Sequence, residues 1–145
     1  MALNATRGVL ASLAGLAAGA RVAFGPRDRR LARRLVDALL RGGHAVRVLD
    51  SLEDQVHEGR KPDYLNPKAE YQWGDVRDRA AMRKALQGIE VVFHEAAAVG
   101  VGQSMYQIEK YVSANVLGTA VLLDTIVNDR LPIKKLLVAS SMSIY

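Results

Sequence analysis

The sequence has no cysteine, one tryptophan and only two phenylalanines in 145 residues. Without cysteine there is neither a disulfide scaffold nor a thiolate metal site, and the composition fits a reducing cytoplasm. Three histidines are present. None sits at metal-ligand spacing from another or from an acid cluster, so no metal site is expected. His57, in the polar stretch Ser51–Lys68, reads as a solvated loop residue. Acid is scarce at the amino end. Residues 1–34 hold seven arginines, no lysine and a single acid, Asp28, whereas the other 111 residues hold 13 basic and 14 acidic side chains. The net charge of +5 therefore belongs to one segment. No series of aromatic side chains interleaves those arginines as a stacking platform requires, so no nucleic-acid partner is expected. Long apolar runs are also missing. Val9–Ala20 follows Arg7 in the manner of a secretory leader, but it is too short to cross a bilayer. No other segment is expected to span a membrane, and residues 1–20 are expected to form a disordered or loosely helical tail.

What is present is a globular composition, half hydrophobic, with room for one domain and a sizeable core. Its organising stretch is Arg21–Asp50. Val22–Phe24 is a short apolar run, and Leu31, Leu35, Val36, Leu39 and Leu40 recur at helical spacing. Gly42 and Gly43 stop that helix, Ala45–Leu49 is apolar again, and Asp50 closes the second strand. This is a β-α-β unit with an acid at the tip of its second strand, where a dinucleotide-binding fold holds the adenosine ribose. Glycine is missing where such a fold needs it. The first turn reads Gly25-Pro26-Arg27-Asp28-Arg29-Arg30-Leu31-Ala32.

Further along, Glu70–Trp73 reads as a strand with Tyr71 and Trp73 on one side. Asp78 is placed to cap a helix over Arg79–Leu86, which Gly88 ends. Glu90–Phe93 reads as a buried strand running into His94-Glu95-Ala96-Ala97-Ala98. Small residues there leave the backbone open to a ligand, or simply pack against a helix. Val99–Ser104 reads as a loop and Met105–Asn128 as one long helix. Asn115 and Gly118 inside it are poor helix formers, so close backbone packing or a side-chain bond to a neighbouring strand is expected. Leu136–Ala139 is the fifth strand, followed by Ser140-Ser141-Met142-Ser143-Ile144-Tyr145. Alternating strands and helices imply an α/β fold, a Rossmann-like doubly wound parallel sheet of order 3-2-1-4-5 truncated after the fifth strand. Ligands would meet its carboxyl rim at Gly25–Ala32, Asp50, Asp75–Val76, Ala96–Val99 and Ser140–Ser141.

These pieces resemble a known family. LVDALLRGGHAVRVLDSL, GDVRD, VVFHEAAAVGVGQS, NVLGT and LLVASSMSIY, spread from Leu35 to Tyr145, are similar to the amino-terminal part of the extended short-chain dehydrogenases/reductases, in the NAD-dependent nucleotide-sugar epimerase/dehydratase family. DSLEDQVHEGRKPDYL is similar to the branch near UDP-glucose 4-epimerase and dTDP-L-rhamnose 4-epimerase. The resemblance implies NAD as cofactor and a nucleotide sugar as substrate of the intact protein. It implies that Gly25 opens the pyrophosphate turn, Asp50 binds the adenosine ribose, and Asp75 and Val76 contact adenine. Ala96, Ala97 and Ala98 would line the ribose and nicotinamide side. Asn115 would brace the central helix, and Ser104 is a weaker contact candidate. Ser141 matches the active-site hydroxyl that bonds the sugar hydroxyl being oxidised.

The chain also departs from that pattern. The family's first turn is of the type Thr-Gly-Gly-x-Gly-x-x-Gly. Here three glycine roles are unfilled, and arginine bulk cannot replace backbone N–H groups at a helix start. The catalytic Tyr-x-x-x-Lys pair that follows the fifth-strand motif in the family, and the substrate domain, are expected to be missing from this chain. A fragment without catalytic competence is expected, with its fifth strand exposed as an edge for pairing with another chain, a second copy included. A shifted reading frame in GC-rich DNA would account for the Arg/Ala/Gly/Leu-rich composition of residues 1–34.

Overall fold

The structure, a computed structural model, describes residues 21–25, 29–53, 62 and 65–139. The tail, residues 26–28 of the first turn, His57, Tyr64, Ser141 and Tyr145 lie outside the described residues. Five strands form one sheet: β1 (Arg21–Gly25), β2 (Ala45–Asp50), β3 (Glu70–Trp73), β4 (Val91–His94) and β5 (Lys135–Val138). Their order is β3-β2-β1-β4-β5, and each neighbouring pair is parallel. Parallel pairing puts every strand's carboxyl end on one rim, where Gly25, Asp50, Trp73, His94 and Val138 are the last strand residues.

The helices cover both faces. Helix α1 (Arg29–Arg41) packs Leu35, Val36 and Leu39 onto Val46, Val48, Val91 and Phe93. Strand residues alternate in direction, so Val92 and Leu49 point the other way. There they meet Met82, Ala85 and Leu86 of α2 (Arg79–Leu86) and Val121 and Leu122 of α5 (Gly118–Asn128). Each of these side chains other than Ala85 contributes about 1.5–3 kcal/mol relative to exposure. This two-faced burial explains why β4 is buried at every position.

Local chemistry fixes the element ends. Helix α1 stops in a Schellman motif: Gly43 has φ +78°, His44 N–H donates to Leu39 O, and Gly43 N–H donates to Leu40 O. Asp78 Oδ1 accepts from Ala80 N–H at 2.8 Å and caps α2. Gly88, with φ +69°, lets the chain leave that helix. Arg47 Nη1 donates to Ala85 O and Gln87 O at 2.9 and 2.8 Å, satisfying the last carbonyls of α2, and its Nε donates to Glu70.

Several expectations need correction. Val99–Ser104 is not wholly loop, because Val101–Ser104 forms a short helix, α3, opened by Gly100 at φ +133°. The expected single helix from Met105 begins at Ile108 as α4 (Ile108–Tyr111) and widens into a π turn (Val112–Leu117) before α5. Strands β4 and β5 each sit one residue away from their expected bounds. The run Ile108–Asn128 is also long and apolar enough, by length and composition, to cross a membrane, contrary to expectation. In this fold Gly118, Val121, Leu122 and Thr125 of that run are buried, while Ile108, Val112, Val116, Leu123 and Val127 are exposed.

Candidate functional site

The rim gathers the sequence's candidate residues at the ends of adjacent strands. Gly25 ends β1 and pairs in register with His94. Asp50 ends β2 beside Trp73 of β3. Asp50 Oδ1 accepts from Leu52 N–H at 2.8 Å, and Asp50 O accepts from Gly74 N–H at 3.0 Å. The first bond closes a tight turn that puts Leu52 at φ +53°, a conformation costly for a branched residue. The carboxylate is thereby aimed by the backbone that follows it.

The next turn is compact for a steric reason. A Cβ on Gly74 would lie 3.0 Å from Ala81 Cβ and 3.3 Å from Leu49 Cδ1. Asp75 then turns back on its own loop. Its Oδ1 accepts from Arg77 N–H at 2.8 Å and Nε at 2.9 Å, and its Oδ2 accepts from Arg77 Nη2. Bidentate pairing with Arg77 holds the Asp75 carboxyl below its ordinary range. Arg77 Nη1 also donates to Ser113 Oγ at 2.7 Å, tying the turn to the π turn. Arg77 lies two residues after Asp75, a spacing that brings the two side chains together in a tight turn. Val76 faces Gly118: a Cβ there would come within 2.7 Å of Val76 Cγ2. The expected close approach at Gly118 is therefore to this rim turn.

Ala96 and Ala98 are half-buried and Ala97 is exposed. Asn115 clamps the backbone of Ala98 in both directions: its Oδ1 accepts from Ala98 N–H at 2.7 Å, and its Nδ2 donates to Ala98 O at 3.1 Å. The bond expected of Asn115 to a neighbouring strand thus goes instead to the loop after β4, from the π turn. His94 is buried and bonded to Thr119, and burial lowers its pKa from the ordinary value. Ser104 Oγ donates to Val101 O within its own short helix. Lys110 Nζ donates to Glu53 Oε1 at 2.6 Å, linking α4 to the loop after β2. Neither Lys110 nor Thr119 was singled out from the sequence.

The spacing Tyr-x-x-x-Lys does occur twice, as Tyr64 with Lys68 and Tyr106 with Lys110, but both pairs precede the fifth strand and so do not match the family's catalytic pair. Tyr64 lies outside the described residues. Tyr106 is 72% exposed, and Lys110 is paired with Glu53 rather than with the phenol. Among the described residues no three His, Cys, Asp or Glu side chains come together as metal ligands.

The sequence model of the NAD-dependent epimerase/dehydratase family matches residues 31–145. A dTDP-L-rhamnose 4-epimerase of Burkholderia thailandensis is 35% identical over 101 residues, which cover 68% of this chain and 28% of that protein. The structure is similar to a UDP-glucose 4-epimerase of Thermotoga maritima solved with UDP-glucose. The TM-score is 0.72 at 24% identity, over 83% of this chain and 38% of that one. It is also similar to MoeE5 solved with UDP-glucose and NAD, with a TM-score of 0.67 at 29% identity over 88% and 38% of the two chains. The chain thus spans about a third of the length of the proteins it matches.

Proposed function

Because the chain belongs to the NAD-dependent epimerase/dehydratase family, we propose that residues 21–145 are the NAD-binding portion of a nucleotide-sugar epimerase/dehydratase, without catalytic competence by themselves. The observation that carries this is the rim. Asp50, Asp75 and Ala96–Ala98 follow three strands of one parallel sheet, and Asn115 holds the last of them in place.

The residues divide by how well they fit the cofactor. Asp50, its Oδ1 oriented by Leu52 N–H, accepts from the adenosine ribose hydroxyls, and its charge disfavours a 2′-phosphate. Asp75 keeps its carboxylate on Arg77, so its part in holding adenine is to shape the turn whose other wall is Val76. The small side chains of Ala96–Ala98 leave the backbone approachable. The stretch Gly25–Ala32 does not fit. Only its first residue is glycine, and the pyrophosphate needs N–H groups brought close by several. In the intact family NAD supplies a hydride acceptor for the sugar carbon. Ser141 is assigned the sugar hydroxyl on resemblance alone. A cytoplasmic location is proposed with this role.

A second reading, a non-catalytic fragment that pairs through β5, draws on the position of that strand. It is the edge of the described sheet, with Val138 exposed.

The test is an NMR titration of the labelled chain with NAD at millimolar concentration. Binding near a millimolar dissociation constant, about −4 kcal/mol, should shift the amides of Asp50, Leu52, Gly74, Val76 and Ala97. Rim amides that stay still, while those of β5 shift with protein concentration, would favour the second reading.

A further inference from the structure

A chain of hydrogen bonds runs beneath the rim from β4 to the clamp on Ala98. His94 Nε2 lies 2.9 Å from Thr119 Oγ1. Thr119 Oγ1 donates to the carbonyl of Asn115 at 2.6 Å, in the π turn. The side chain of Asn115 then holds Ala98 N–H and C=O. A threonine hydroxyl has one hydrogen. With that hydrogen directed to Asn115, Thr119 Oγ1 can only accept from the histidine, so the imidazole proton must sit on Nε2.

We infer that His94 and Thr119 are positioning residues, and that the donor order His94 to Thr119 to Asn115 fixes where the Ala96–Ala98 backbone stands on the rim. The hydroxyl of Thr119 bonds the carbonyl four residues back, and that carbonyl belongs to Asn115, in the π turn. Burial keeps His94 neutral, so the ring holds a single proton and a single orientation. Its strand partner is Gly25, so the same residue anchors the base of the first turn. The significance for cofactor placement rests on the rim reading above; the geometry does not.

The test uses the labelled whole chain with Thr119→Val and Thr119→Ser. The ring spectrum of His94 should show its proton on Nε2. Amide exchange at Ala98 should speed up about five- to tenfold in the valine variant, the loss of roughly one hydrogen bond. It should stay within about twofold of the parent in the serine variant, which keeps the hydroxyl. Exchange at Val91 and Val92 should not change in either. A proton on Nδ1, a serine variant behaving like the valine one, or an unchanged Ala98 in the valine variant would overturn the inference. If the valine variant does not fold, the ring proton and the serine variant still decide. None of these readouts needs NAD, so their failure is separate from a rim that does not answer to the cofactor.

Discussion

Two neighbouring stretches of the rim are built in opposite ways. After β2 and β3 the chain makes tight turns whose backbone bonds aim or fix a carboxylate: Leu52 N–H on Asp50 and Arg77 N–H on Asp75. After β1 the residues are Pro26, Arg27, Asp28, Arg29 and Arg30, with no glycine before the helix is under way. Charge there can attract a phosphate, but only close backbone N–H groups can cradle it. The family match begins at residue 31, just past this stretch. On the proposed reading, the site keeps its adenosine half while its pyrophosphate half is lost, because the two halves are encoded in separate turns.

The comparison breaks first at the scaffold. If the defect is confined to the first turn, the core beneath it must be well packed on both faces. Phe93→Ala, at a fully buried position, should then cost about 3–5 kcal/mol in chemical denaturation. A loss below about 1 kcal/mol would place the fault in the sheet itself. Next comes the adenosine half. In a chain with glycine restored at Pro26, Arg27, Arg29 and Ala32, Asp50→Ala should weaken NAD binding by about 10- to 100-fold, as for loss of bonds to a charged acceptor. An equal affinity with and without the carboxylate would remove Asp50 from the site.

Smaller effects sharpen the geometry of the β3 turn. Gly118→Ala brings a methyl against Val76 and should cost about 1–3 kcal/mol, read from the thermal midpoint, and shift the amides of Val76 and Arg77. Asp75 gives the smallest effect, and its sign is definite. Its folded pKa is depressed by Arg77 below the ordinary 3.8. The stability it adds is therefore fully present above pH about 4 and lost as pH falls through the lower folded value. The side chain is about one-third exposed, so solvent screening keeps the difference between parent and Asp75→Asn under about 1 kcal/mol in an acid titration. A gap that widened as the pH fell would contradict the pairing.

Periodicity carried much of the fold. Leu35, Val36 and Leu39 announced α1, and Asp78 announced the start of α2, because these are local signals read within one turn. The break between Met105 and Ile108 and the π turn around Asn115 were not legible. The π turn carries a bond from Asn115 to Ala98, 17 residues away, which no local pattern encodes. Asn115 and Gly118 did mark the place by their poor helix propensity. Of the rim, Asp50 was legible as an acid ending a strand, while the commitment of Asp75 to Arg77 needed coordinates.

The central claim is that residues 26–32, and not the rest of the rim, limit cofactor binding. Calorimetric titration of NAD into the parent chain and into the chain carrying Pro26→Gly, Arg27→Gly, Arg29→Gly and Ala32→Gly tests it directly. The parent should show no saturation below about millimolar NAD, and the glycine-restored chain should bind at least about tenfold more tightly. Micromolar binding by the parent, or no gain in the restored chain, would contradict it.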